Sequence, residues 1–195
     1  MAAIVAEAAP GNAVTQWFGA GFAQLHPLLQ SLHLHGGRLS GQATLRFGSG
    51  LAGVLGRRMA RRLGVPIQAG PHRLEVEIGH DCGTLQWNRC FDGSHWVRSS
   101  FHPSGHWPDG VWLERTGPIE LALAVEVVDG GWHWRTVSLR VHGLPVPRWL
   151  VPRSTAYKHI EHDRYRFHVG FGMPLLGEVF SYSGLLRSSM GTYSA

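Results

Sequence analysis

Alternation of apolar and polar side chains recurs along most of this chain and restricts what it can fold into. Between Ile119 and Val127 every odd position is apolar. Successive side chains of a strand point to opposite faces, so the pattern predicts a strand with one buried face. Similar segments follow at short intervals, separated by turn sequences such as Asp92-Gly93. They span residues 38–47, 73–78, 85–91, 96–101, 111–115, 119–127, 132–141, 165–171 and 178–186.

These segments predict a mainly β (α+β) fold, with a curved antiparallel sheet of about eight or nine strands. We expect a barrel or half-barrel with one or two short helices packed on it. The length of 195 residues suits one domain with its own core. We therefore expect a disordered N-terminus at 1–14, a single β-rich domain at 15–187 and a loose C-terminal tail at 188–195.

Two segments have helical periodicity instead. The first has apolar residues at three- and four-residue steps from Phe18 to Leu32, with a break at Pro27. The second has Leu51, Leu55, Met59 and Leu63 one turn apart. Its other faces carry four arginines, which either complement the helix dipole or contact an anionic lipid or nucleic acid. These arginines are at positions 57, 58, 61 and 62.

Composition limits the compartment and the partners. The net charge is +5, and all basic residues except Lys158 are arginine. Because these residues form no long run, we expect no nucleic-acid partner. The N-terminus lacks the features of a signal peptide, and no apolar stretch is long enough to span a membrane. We expect a cytoplasmic protein in which Cys82 and Cys90 are free thiols.

Motifs for metal, nucleotide or nucleophilic chemistry are weak. The 13 histidines form no recognised metal motif, and the richest group, His159 to Asp163, resembles a turn before a strand. Gly48-x-Gly50-x-x-Gly53 matches a dinucleotide fingerprint by letter, but no βαβ unit follows it. We therefore predict no metal site, no cofactor and no catalytic residue.

Arg89 is the most unusual residue of the predicted sheet. It shares a strand face with Leu85, Trp87 and Phe91, and that face should point inward. A guanidinium stays charged, so burying it without a partner is very costly. Two carboxylates are candidate partners, Glu114 and Glu178. The arrangement is either an ion pair that fixes strand register or a polar anchor in an apolar ligand cavity.

Several short motifs occur together in a recognisable order. They are Phe22-x-x-Leu25-His26-Pro27, Trp87-x-Arg89-x-Phe91, Glu114-x-x-Gly117-Pro118, Leu144-Pro145-x-Pro147-x-x-Leu150-x-Pro152, Pro174-Leu175-Leu176-Gly177 and Tyr182-x-Gly184-x-Leu186. This series resembles the bacterial family called domain of unknown function 4166, from about residue 18 to 187. The resemblance implies no established activity and no catalytic residues. Family members occur alone or fused behind saccharopine-dehydrogenase-like or DoxX-like segments.

We expect a domain that binds a small apolar or amphipathic, lipid-like ligand in the sheet interior without catalysis. The candidate ligand-binding residues are Arg89, Trp87, Glu114, Glu178 and Tyr182. Three of them, Arg89, Glu114 and Tyr182, lie inside motifs of the resemblance. One alternative is an enzyme acting on a small hydrophobic substrate in the same cavity. The other is a structural or accessory interaction domain. The sequence does not indicate the oligomeric state.

Overall fold

A computed structural model describes residues 11–147, 151 and 153–189 of the chain. The helices are α1 (Ala13–Phe18), a 3-10 helix (Gly19–Gln24), α2 (Pro27–His35) and α3 (Gly50–Leu63). The strands are β1 (Gly37–Phe47), β2 (Gly70–Asp81), β3 (Thr84–Phe91), β4 (His95–Ser104), β5 (Val111–Thr116), β6 (Ile119–Val128), β7 (Gly131–Val141), β8 (Leu144–Pro145), β9 (Arg153–Glu161), β10 (Arg164–Met173) and β11 (Gly177–Ser189).

Ten of these strands form a closed antiparallel barrel. Their order around it is β6-β5-β4-β3-β2-β1-β11-β10-β9-β7, and a pairing between β6 and β7 completes the ring. The two-residue strand β8 pairs only with the end of β7 and lies outside the ring. The mainly antiparallel β class is confirmed. The expected count of eight or nine strands was slightly low, because 153–161 and the short 144–145 also pair into the sheet.

Turn chemistry explains why neighbouring strands pair as hairpins. Asp92 and Gly93, between β3 and β4, both have positive φ, at 50° and 71°. Asp129 and Gly130, between β6 and β7, likewise both have positive φ, at 49° and 73°. Two successive residues with positive φ match the right-handed twist of the strands that they join. Such turns make the two strands that they join antiparallel.

The N-terminal helices close one end of the barrel. The side chain of Asn12 caps α1 by accepting hydrogen bonds from the backbone N–H groups of Val14 and Thr15. His26 caps α2, and Pro27 occupies its first turn, where no backbone donor is needed. α2 contacts both β2 and β9, which lie on nearly opposite sides of the ring. A segment that touches both must cross the end of the barrel.

The helix α3 packs along β11 and β1, but not on the predicted face. Leu51 is 77% exposed, whereas Ala52, Gly53, Gly56 and Ala60 are buried. A Cβ added at Gly56 would collide with the carbonyl oxygen of Val179. The helix therefore packs on the sheet through its small residues, at backbone distance. Leu55, Met59 and Leu63 turn instead towards the barrel interior.

The ends of the domain differ slightly from the expected boundaries. α1 begins at Ala13, two residues before the expected start at 15, and β11 continues to Ser189. The remainder of the expected disordered N-terminus, 1–10, and of the expected loose tail, 190–195, lies outside the described residues. Cys82 and Cys90 are free thiols. None of the helices in the described part has the length and apolarity needed to cross a membrane.

Candidate ligand cavity

The barrel encloses a cavity of about 660 Å³. Its walls are mainly aliphatic and aromatic side chains from almost every strand of the ring, with Leu55, Met59 and Leu63 added by α3. A volume of this size lies within the range of cavities that hold small ligands. The residues on its wall with polar groups include Arg89, Glu114, Thr116, Lys158, Tyr165 and Tyr182.

Arg89 points into this cavity, as the alternation of β3 predicts. Its side chain is only 12% exposed. Nη1 donates a hydrogen bond to the hydroxyl oxygen of Tyr182 at 2.9 Å, and Nη2 donates a short one to Ser99. Nε is buried without a hydrogen-bond partner among the described residues. A guanidinium has five N–H donors, so this network satisfies only part of its capacity.

Glu114 supplies the negative charge nearest to Arg89. Its Oε1 lies 3.7 Å from Nη2, which is an ion pair without a close hydrogen bond. A second route runs through hydroxyl groups. Ser99 Oγ lies 2.8 Å from Thr116 Oγ1, which donates a 3.4 Å hydrogen bond to Glu114 Oε1. The sequence therefore identified one correct carboxylate partner, and the fold adds the two hydroxyls between them.

A second polar group lies towards the end of the barrel that α2 closes. Lys158 of β9 is 4% exposed, and its Nζ lies 2.7 Å from Nε2 of the fully buried His33. Nζ also lies 3.9 Å from the ring centroid of Trp132 and 4.5 Å from that of Trp87. The imidazole of His33 stacks between the same two indoles, with centroid distances of 4.7 and 5.6 Å.

Burial governs the protonation of this pair. It lowers the pKa of Lys158 well below the ordinary value for lysine. Burial, and then the neighbouring positive charges of Lys158 and His80, lower the pKa of His33 well below its ordinary value. Burial also raises the pKa of the nearby Tyr165 well above its usual value, and the positive charge of Arg89 offsets part of this rise. The phenol of Tyr165 therefore stays neutral.

Comparison with known proteins identifies the family. The model of the family described as a domain of unknown function, DUF4166, matches residues 25–186. The chain belongs to the DUF4166 family. The matched part includes α2, α3, all of β1–β10 and most of β11. Neither the curated proteins nor the solved structures contain a match to this chain.

The mouth of the cavity in this DUF4166 domain is cationic. Four residues on the wall are also exposed to solvent, so the cavity reaches the surface beside them: Arg58, Arg62, Pro118 and His142. Arg58 and Arg62 lie one turn apart on α3 and face the opening. Two of the four arginines that the sequence singled out therefore lie at the entrance.

Glu178 does not belong to this site, so its prediction as a partner of Arg89 was wrong. It accepts a hydrogen bond from Ser181 at 2.7 Å and faces an outer surface depression with Gly170 and Met173. The pairing of β10 with β11 shifts register here: Phe171 pairs with Phe180 but Gly172 with Glu178. The extra residue at this bulge, Val179, interrupts the alternation, so a carboxylate counted as inward turns outward.

The remaining predictions concern Trp87, Tyr182 and metal ions. Trp87 and Tyr182 both line the cavity, with Trp87 beside Lys158 and Tyr182 beside Arg89. Within residues 11–147, 151 and 153–189, no group of three histidine, cysteine or acidic side chains is placed to hold a metal ion. Leu150 and Pro152 of the proline-rich motif lie outside the described residues.

Proposed function

We propose that this domain binds a small amphipathic ligand, with its apolar chain in the barrel interior and its polar head group at Arg89. The observation that carries the proposal is an incompletely paired, buried guanidinium on the wall of a largely apolar cavity of about 660 Å³. Apolar walls with a few convergent polar groups are typical of small-molecule sites.

The free donors of Arg89 favour a head group that accepts hydrogen bonds. Only two of its N–H groups donate hydrogen bonds to described residues, and the carboxylate of Glu114 is 3.7 Å away. A carboxylate or carbonyl oxygen of a ligand would complete the network. An anionic head group also gains from Arg58 and Arg62 at the mouth, because positive potential at an entrance concentrates anions. The negative charge of Glu114 repels an anionic head group, so removing that charge by substitution tests the proposal.

We expect purified protein to bind dodecanoate more tightly than dodecanol, measured by displacement of a fluorescent apolar probe. The double variant R89M/E114Q removes both charges and so avoids leaving a buried Glu114 unpaired. It should bind dodecanol as before but lose the preference for dodecanoate. We expect its affinity for dodecanoate to fall about tenfold, since a hydrogen bond to a charged group contributes roughly 1.5–3 kcal/mol.

The matched variant E114Q should act in the opposite direction. It keeps Arg89 and removes the like charge, so dodecanoate should bind more tightly than to the wild-type protein. Failure of both dodecanoate and dodecanol to displace the probe would refute ligand binding. Equal loss of both ligands in R89M/E114Q would show that Arg89 shapes the barrel and does not hold a head group.

A further inference from the structure

We propose that Lys158 is a reactive amine that forms an imine with an aldehyde or ketone ligand held in the cavity. The inference rests on the proposed ligand-binding function, because the carbonyl compound must enter the same barrel interior. It adds a covalent step and a ligand class that Arg89 alone does not indicate.

The surroundings of Lys158 are not those of a structural ion pair. Buried lysines are rare and are normally paired with a carboxylate. Among the described residues, no carboxylate lies within ion-pair distance of Lys158 Nζ; its hydrogen-bonding neighbour is His33 Nε2, at 2.7 Å. Lys158 is also one of the residues that line the cavity.

Two opposing effects decide the charge of the amine. The indoles of Trp132 and Trp87, whose ring centroids lie 3.9 and 4.5 Å from Nζ, stabilise a cation. Full burial opposes the charge more strongly, because an ammonium group loses its hydration there. Desolvation therefore wins, and the pKa of Lys158 falls. A larger share of the amine is then neutral at neutral pH than for an exposed lysine, and neutral amine is the nucleophile.

His33 is placed to move the protons of the reaction. The Lys158 nitrogen adds to the carbonyl carbon and forms a carbinolamine, and the carbonyl oxygen gains a proton. Loss of that oxygen as water leaves the C=N bond, so aldehyde and amine give imine and one water, with no oxidant or reductant. His33 Nε2 accepts a proton from the attacking nitrogen and returns one to the departing hydroxyl. Its other ring nitrogen, Nδ1, has no hydrogen-bond partner among the described residues, so the contact with Lys158 Nζ decides which nitrogen carries the proton.

The walls select the carbonyl compound by polarity. The imine position is surrounded by Trp87, Trp132 and Trp134, the last with its centroid 5.7 Å from Nζ. These rings favour an apolar aldehyde or ketone over a hydrophilic sugar or keto acid. They also limit access of water to the imine, which protects it against hydrolysis.

Decanal is a suitable probe, since it joins an apolar chain to an unhindered aldehyde. Purified protein is incubated with decanal and sodium cyanoborohydride near neutral pH, and intact mass and peptide mapping locate the reduced adduct. Lys158 is the sole lysine of the chain, so the terminal amine is the one competing aliphatic amine. We expect the adduct at Lys158 to form at least about tenfold faster than that of the terminal amine, although both amines are partly neutral at this pH.

The variant K158M keeps an unbranched apolar side chain in place of the lysine and removes the amine. Decanol should still displace the fluorescent probe from K158M, but decanal should give no internal adduct. Displacement by decanal and decanol without an adduct at Lys158 would overturn the covalent step and leave the proposed binding function standing. Displacement by neither would overturn both.

The role of His33 in proton transfer is tested with H33Q. The variant should bind decanol normally but form the adduct about 10²-fold more slowly, the usual range for general acid–base assistance. Its rate should also lose part of the pH dependence of the wild-type protein. Thermal unfolding checks that H33Q is folded. An unchanged rate and pH profile in the folded variant would remove His33 from the reaction.

Discussion

Burying Lys158 costs the fold stability in a pH-dependent way. In the unfolded chain this amine titrates near the ordinary lysine pKa, whereas burial lowers its pKa in the folded protein. Between the two pKa values the unfolded chain binds more protons than the folded one. The free energy of unfolding contributed by this residue therefore rises with pH across that window and stops rising above about pH 10.4, where both states are neutral.

The variant K158M should accordingly be more stable than the wild-type protein at neutral pH. We expect a gain of about 1 kcal/mol or more in the free energy of unfolding near pH 7, since the variant removes the cost of deprotonating this amine when the chain folds. The gain should shrink as the pH approaches about 10.4. Urea unfolding of both proteins across this range measures it. The exposed control R164M should show no such trend, and a K158M gain independent of pH would contradict the lowered pKa.

Residue patterns predicted one polar group of the interior and missed the other. Arg89 stands out because alternation places it among apolar neighbours on β3. Lys158 and His33 are separated by 125 positions, and only barrel closure brings them together. The single signal in the sequence was that Lys158 is the sole lysine. Glu178 was misplaced because a bulge is a departure from alternation, which the pattern itself does not show.

At the scale of elements, α3 has two different roles on two of its faces. Its glycines and alanines allow the helix to lie close against β11, where a Cβ at Gly56 would strike the backbone. This contact orients the helix so that Leu55 and Arg58 face the cavity and Leu51 faces solvent. The leucine spacing predicted the helix correctly. It could not predict the packing face, because small residues carry no hydrophobic signal.

The arginines of α3 should affect how fast an anionic ligand enters. In R58A/R62A we expect dodecanoate to associate about tenfold more slowly at low ionic strength, because steering by charge at an entrance raises association rates. Added salt should reduce the difference, and dodecanol should associate at the wild-type rate. Stopped-flow fluorescence with a displaced probe measures both ligands.

A matched control is available on the same helix. R57A/R61A removes the same amount of charge from positions that do not line the cavity; Arg57 instead lies over the ring of Phe47, 4.8 Å from its centroid. Its association rate for dodecanoate should stay close to that of the wild-type protein. Equal slowing in the two variants would indicate a general effect of net charge and would exclude a specific role for the mouth.

At the scale of the molecule, the barrel depends on pairings between strands that are distant in sequence. Hairpin turns join several neighbouring pairs, such as β3–β4 and β6–β7, which accounts for the antiparallel class. Closure requires β1 to pair with β11 and β7 with β9, through registers such as Leu45–Tyr182 and Trp134–Ala156. Turn residues do not encode these pairs, so the sequence left barrel and half-barrel open. The cavity, and the meeting of Lys158 with His33, follow from closure.

Filling the cavity tests whether the interior is space for a ligand. Ala156 of β9 lines it, whereas its neighbour Thr155 points outward. Because the interior has room, A156F should keep the free energy of unfolding within about 1 kcal/mol of the wild-type value, whereas overpacking a filled core typically costs about 1–3 kcal/mol. The same variant should weaken dodecanoate binding by at least about tenfold, or roughly 1.4 kcal/mol. T155F adds the same ring to the outer face and should leave binding unchanged.

Urea unfolding measures the stability of the two variants, and probe displacement measures their affinity for dodecanoate. A destabilised A156F that binds dodecanoate normally would mean that the ligand site lies elsewhere.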